Sequence, residues 1–218
     1  MNKGVVFLGL LTGVAVAMFA YALMQTGDSM DSAPDRSLPL PENAVAFSGN
    51  QNALTPIQPV PEYTLTDHKG ETFKLSSMSG KVWAVDFFFT MCPGQCSVMS
   101  TNMAYLLDTF KDDERFGAVS ISVDMANDTP ERLAEYAKLY EADTDRWHFV
   151  RGDEATLRDI ATNGLRLGTV KDLNFHSEHF VLVGSENWIR GYYDGTDTNR
   201  IADMVKHIRI ALDNTPES

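Results

Sequence analysis

The chain has 218 residues, 44% of them hydrophobic, with 18 basic and 30 acidic side chains for a formal charge of -12. That length holds one good-sized domain with extensions and argues against a second full domain. The acidic balance, with no basic stripe to offset it, argues against nucleic acid and anionic surfaces as partners. Two cysteines are too few for a disulfide scaffold, and Cys92 and Cys96 lie so close that they point to a redox or metal pair.

Residues 4–24 form an almost unbroken apolar stretch after Lys3, long enough to span a bilayer as a helix. With Lys3 before it and Asp28, Asp31 and Asp35 after it, the positive-inside bias puts the rest of the chain outside the cytoplasm, on the periplasmic side of the cell membrane. A cleaved signal peptide is the competing reading, because Ala20-Tyr21-Ala22 has the small-x-small form of a cleavage site. The domain plan is therefore an anchor over 1–25, a flexible linker over 26–60 rich in Ser, Pro, Asn and Asp, and a folded domain over 61–214.

Within that domain, 63–66 and 72–75 read as a short hairpin about His68-Lys69-Gly70. The run 83–89, WAVDFFF, is short, aromatic-rich and bounded by Gly80 and Pro93-Gly94, so it reads as a buried central strand. If the chain turns helical at Pro93, Cys92 and Cys96 fall on one face of one turn, where a helix N-terminus favours thiolate. Met99, Met103, Leu106, Leu107 and Phe110 continue with helical spacing over 97–110. A strand follows over 117–123, then a helix over 131–140 announced by Asp128-Thr129-Pro130-Glu131, a strand over 147–150, and a helix over 155–163 stopping at Gly164. Strands 179–183 and 188–193 form a hairpin across 184–187, and a helix over 200–212 closes the chain. The alternation predicts an α/β fold, a mixed central sheet with helices on both faces.

The ordered set DFFFTMCPGQC at 86–96, SVDMANDTPERLAEYA at 122–137, WHFVRGD at 147–153 and HSEHFVLV with IRGYYDGTD at 176–197 resembles the Sco/SenC family. The resemblance implies a thioredoxin-like fold, copper as the cofactor, and a tethered metallochaperone that delivers copper to the copper-bearing subunit of cytochrome c oxidase. It implies Cys92, Cys96 and His176 as the metal ligands, with a thioredoxin-like reductant or another copper chaperone as further partners. The donor chemistry agrees, since thiolates select Cu(I) and imidazole serves both Cu(I) and Cu(II). His179, inside the following strand, is the alternative histidine. Met91, Met99 and Met103 are soft donors whose spacing reads as core packing, and His68, His148 and His207 are assigned no role. Asp124 matches an acidic position of the family and could equally cap the segment after it. Where the family commonly has proline, this chain has Ser97 and Met125, and no proline precedes His176, which argues against a general disulfide reductase. The other readings are a thiol–disulfide oxidoreductase using Cys92 and Cys96 as its redox pair, and a thiol peroxidase, which shares a threonine such as Thr90 before its first cysteine.

Overall fold

The computed structural model describes residues 54–167 and 177–215. Seven strands form one sheet: β1 (Thr64–Asp67), β2 (Thr72–Lys74), β3 (Val82–Phe88), β4 (Phe116–Ser122), β5 (Trp147–Arg151), β6 (His179–Val183) and β7 (Ile189–Asp194). Their order across the sheet is β2-β1-β5-β4-β3-β6-β7. The central strands β3, β4 and β5 are parallel, and every other pairing is antiparallel. VWAVDFF and FGAVSIS are buried at every position, as interior parallel strands covered on both faces must be.

Alternate side chains of β3 feed two separate cores. Trp83, Val85 and Phe87 meet Val119, Ile121 and Val150 on one face. There they are covered by the short α3 (Glu154–Asp159), a π turn (Ile160–Gly164) and a 3-10 turn (Leu75–Met78). Val82, Ala84 and Phe88 meet Ala118 and Phe149 on the other face. There α1 (Gln95–Thr109), α2 (Pro130–Leu139) and α4 (Thr198–Asp213) lie over them. Two successive right-handed crossovers that step the same way along a parallel sheet, β3-α1-β4 and β4-α2-β5, put both helices on one face.

Local chemistry sets the helix starts. The side chain of Thr129 accepts the Arg132 N–H with Pro130 in the first turn, while Asp153 and Asp197 cap α3 and α4 in the same way. The expected helix over 155–163 is instead α3 followed by the π turn, where Gly164 lies so close to the Tyr63 ring that a Cβ would sit 2.9 Å from it. Ahead of β1, the Ile57 N–H donates to the Ile189 carbonyl at 2.9 Å and the Val60 N–H to that of Asn187 at 2.8 Å. The folded unit thus takes in residues 57–60, which sequence reading assigned to the linker. The apolar stretch over 4–24 lies outside the described residues, and no helix among those described is long and apolar enough to cross a membrane.

Gly117 tests the tightness of packing at the start of β4, where the chain entering β5 and the 3-10 turn come close. A Cβ there would stand 2.9 Å from the Arg146 carbonyl oxygen and 3.0 Å from the Met78 methyl group. Because backbone cannot yield as a flexible side chain does, Gly117→Ala is expected to cost about 1–3 kcal/mol. A urea denaturation midpoint equal to that of the unsubstituted protein would contradict this packing.

Candidate metal centre

The chain leaves the end of β3 through a tight turn in which the Cys92 N–H donates to the Phe89 carbonyl at 3.2 Å. Pro93 and Gly94 are not yet helical. α1 begins at Gln95, with Gly94 as its N-cap and no side-chain cap. The two cysteines therefore do not share a helical turn as expected: Cys96 sits in the first turn of α1 and Cys92 precedes the helix. The difference follows from the cap, since the glycine backbone at Gly94 (φ -159°, ψ -87°) is not helical.

Both thiols are free, and Cys92 packs against the cluster that buries Cys96. Cys96 is buried and Cys92 is partly exposed. Burial pushes the Cys96 thiol up to about 12, with the Cys92 contact next in effect and the Asp86 carboxyl adding to it, while the Phe89 backbone N–H opposes the shift. The lowered thiol pKa expected from a helix N-terminus is not found at Cys96, because desolvation outweighs the dipole. The arrangement is an accessible sulfur beside a protected one, and a soft metal bound there would hold Cys96 as thiolate against that burial.

β6 runs antiparallel to β3 with Trp83 opposite Val183 and Val85 opposite Val181, so the start of β6 faces the end of β3. The chain entering β6 therefore comes from the sheet end that bears Cys92. A brace crosses the same region: Asn102 of α1 donates to the Gly195 carbonyl at 2.7 Å, and the Gly195 N–H donates to the Glu178 carbonyl at 2.6 Å. His176 lies outside the described residues. His179 opens β6 half-buried, its N–H donates to Ser177 Oγ at 3.1 Å, and burial lowers its pKa. His207 bonds the Tyr193 hydroxyl at 2.7 Å, and His148 stacks on Phe73 with its pKa lowered by burial to about 4. Met99 and Met103 pack in the core as expected. Met91 does not: it is 59% exposed, because it belongs to the turn before the helix.

Among the acids, Asp124 turns back on its own loop and accepts the Asn127 N–H at 3.1 Å. Two others, not singled out from sequence, are buried near the cysteines. Asp86 accepts Ser120 Oγ–H at 2.6 Å, that oxygen accepts the Trp147 indole N–H at 2.9 Å, and the second Asp86 oxygen has no partner. Asp128 takes the Thr90 hydroxyl proton in a hydrogen bond, so that hydroxyl is committed away from the peroxidase-type role considered above. An acidic residue inside an apolar strand was the available signal for Asp86, whereas nothing in the residue pattern around Asp128 distinguishes a buried acid from a helix start.

A mixed α/β domain with free paired thiols at the end of its central parallel strand defines a thioredoxin-like protein with a soft-metal or redox site. The chain belongs to the SCO1/SenC family, whose family model matches residues 52–212. It is 28% identical over 170 residues to the SCO1 protein homolog of Bacillus subtilis, covering 75% of this chain and 88% of the relative. The structure of BsSco, described as a member of the Sco family of cytochrome c oxidase assembly proteins with a disulfide switch, superimposes with a TM-score of 0.64 at 27% identity. That match covers 73% of this chain and 96% of BsSco. Arabidopsis thaliana ScoI, solved with copper bound, shares the fold with a TM-score of 0.58 at 22% identity, covering 69% of this chain and 98% of that one. Copper is thus a metal that Sco structures carry.

Burial holds the Asp86 carboxyl at about 7 against 3.8 for a free aspartate, and the Ser120 bond only partly offsets it. The folded state therefore binds this proton more tightly than the unfolded chain. Its stabilising effect is complete below about pH 3.8 and is lost as pH rises to about 7. Asp86→Asn should remove that loss and gain on the order of 1–3 kcal/mol above pH 7, since the full linkage is offset by an amide N–H₂ left without a partner. Urea denaturation between pH 4 and 8 measures it, and parallel curves for the two proteins would show that Asp86 does not carry this proton.

Proposed function

We propose that this chain is a membrane-tethered copper chaperone of cytochrome c oxidase assembly, binding one copper through Cys92, Cys96 and His176 on the extracytoplasmic side of the membrane. The observation that carries the reading is the pairing of two free thiols, one accessible and one protected, beside one cluster at the end of β3. The antiparallel entry into β6 supports His176 as the third donor, because it precedes Ser177 in the segment that feeds this strand. The apolar stretch over 4–24 supports the tether. Bound copper would supply the affinity for soft donors. The protein's part is to offer two thiolates and an imidazole, and to leave Cys92 accessible to an incoming partner. Catalysis is then secondary to carriage.

Thiol–disulfide exchange is the second reading, favoured by the same asymmetry and by the disulfide switch described for BsSco. In that reaction the Cys92 thiolate attacks a partner disulfide, releasing one partner thiolate. Cys96, once deprotonated, attacks the Cys92 sulfur and releases the other, so the partner gains two electrons as the pair forms its own disulfide.

Titrating copper into reduced and oxidised protein separates the two readings. Reduced protein should take one copper per chain and oxidised protein none, because a disulfide offers no thiolate. Equal uptake would remove the thiols from the site. In His176→Ala, copper affinity should fall by more than the roughly 10–100-fold typical of an outer-shell change, with Cu(II) hit hardest, while the reduction potential moves by at most about 30 mV, or about 1.4 kcal/mol. His179→Ala should retain copper, and a larger loss there would mean that the other histidine is the ligand. For the tether, cell fractionation should find the full chain with membranes and a chain starting after about residue 26 in the soluble fraction. Full-length protein that is wholly soluble would instead indicate signal cleavage.

A further inference from the structure

The turn that carries Cys92 is held from behind. Asp128 is fully buried, and its side chain is enclosed by the ends of β3 and β4. One carboxyl oxygen accepts the Thr90 backbone N–H at 3.0 Å together with the Ser122 hydroxyl, and the other accepts the Thr90 hydroxyl. The Asp128 N–H donates to the Asp124 carbonyl at 2.9 Å.

Ordinary structural roles do not account for this acid. It does not cap α2, because the side chain of Thr129 does. No salt bridge reaches it among the described residues. As core filling, a carboxyl is a costly choice beside an apolar side chain unless its oxygens are satisfied by donors that need to be held. Two of its three donors belong to Thr90, the second residue of the turn closed by the Cys92 N–H on the Phe89 carbonyl. The first residue of the turn, Phe89, packs against the cluster that contains Cys96, and the last is Cys92 itself. One turn thus bears on both cysteines, and Asp128 grips it between its ends.

We propose that Asp128 is a positioning residue for the cysteine pair, fixing the Phe89–Cys92 turn through Thr90 and so setting how the two sulfurs face one another and a bound copper. The copper part rests on the function proposed above, while the effect on the sulfurs does not. Asp128→Asn keeps the shape but replaces one acceptor oxygen with an N–H₂ group that must face a donor. Thr90→Val keeps the backbone bond and removes only the hydroxyl, and Thr90→Ser restores the hydroxyl.

The test measures three quantities on folded full-length protein, with circular dichroism and Tm recorded alongside. The first two are the thiolate-to-Cu(II) absorption band and the rate at which Cu(I) passes to a chelator. The third is the metal-free equilibrium with glutathione disulfide, which takes two electrons and two protons from the thiols to give two glutathione thiols and the Cys92–Cys96 disulfide. Asp128→Asn and Thr90→Val should move the band, release Cu(I) at least tenfold faster, and change the glutathione equilibrium constant about tenfold, or about 30 mV. Thr90→Ser should return all three towards the unsubstituted values. A lower Tm with band, release and equilibrium unchanged in both variants would reduce Asp128 to a stabilising residue and overturn the proposal. If Asp128→Asn does not fold, the Thr90→Val and Thr90→Ser pair decides alone. If the unsubstituted reduced protein takes no copper, the copper reading fails, and the glutathione equilibrium still decides whether Asp128 positions the sulfurs.

Discussion

The parallel pairing of β3 with β4, in register from Val82 opposite Phe116 to Phe88 opposite Ser122, is the constraint on which the rest of the molecule depends. Both strands are buried on both faces, so neither offers a place where the chain could turn before the pair ends. The last bond of the ladder, from the Val123 N–H to the Phe88 carbonyl at 2.9 Å, forces the two chains out of the sheet side by side. The cysteine turn and the loop of Asp124 to Asp128 are neighbours for that reason alone. Functional groups at this sheet end are thus a consequence of strand register, with the loops only completing what the sheet arranges.

Two acids sit close beneath this end in opposite surroundings. Asp128 meets donors at both oxygens, while Asp86 meets one donor at one oxygen and none at the other. The first arrangement ties down main chain. The second sets a carboxyl within an apolar layer, and its negative charge adds to the burial that makes the Cys96 thiol resist ionisation. Cys92, half out of the protein, only packs against that layer. A difference in depth thus separates an accessible sulfur from a protected one despite their closeness in sequence.

Much of this was legible from residue order. The run WAVDFFF, with its glycine and proline boundaries, identified the central strand to within a residue, because continuous burial leaves a continuous apolar pattern. Asp128-Thr129-Pro130 announced α2, and the cap is at Thr129. What failed was local or distant in character. The start of α1 depended on the backbone angles at Gly94, which proline preference alone does not determine. Met91 carries the same residue type as Met99 and Met103 but falls outside the helical phase that buries them. The partners of Asp128 come from two strands and were hidden because a capping acid and a buried clamp look alike in one dimension. The antiparallel sense of β6 against β3, on which any role for the segment before Ser177 rests, is a long-range pairing that residue order does not give and the structure shows.

The brace from Asn102 through Gly195 to Glu178 bears on when the cost of assembling the site is met. Segments some eighty residues apart in the chain are brought together by sheet pairing and by this brace, so the entropy of closing that long loop is spent when the domain folds. Small zinc domains behave differently, since their metal holds together a chain that is otherwise unfolded. Here a bound ion would add to stability only by mass action, with the logarithm of its concentration over its dissociation constant, and its departure would leave the architecture standing. If the chain carries copper as proposed, it would survive each delivery and be ready to be loaded again.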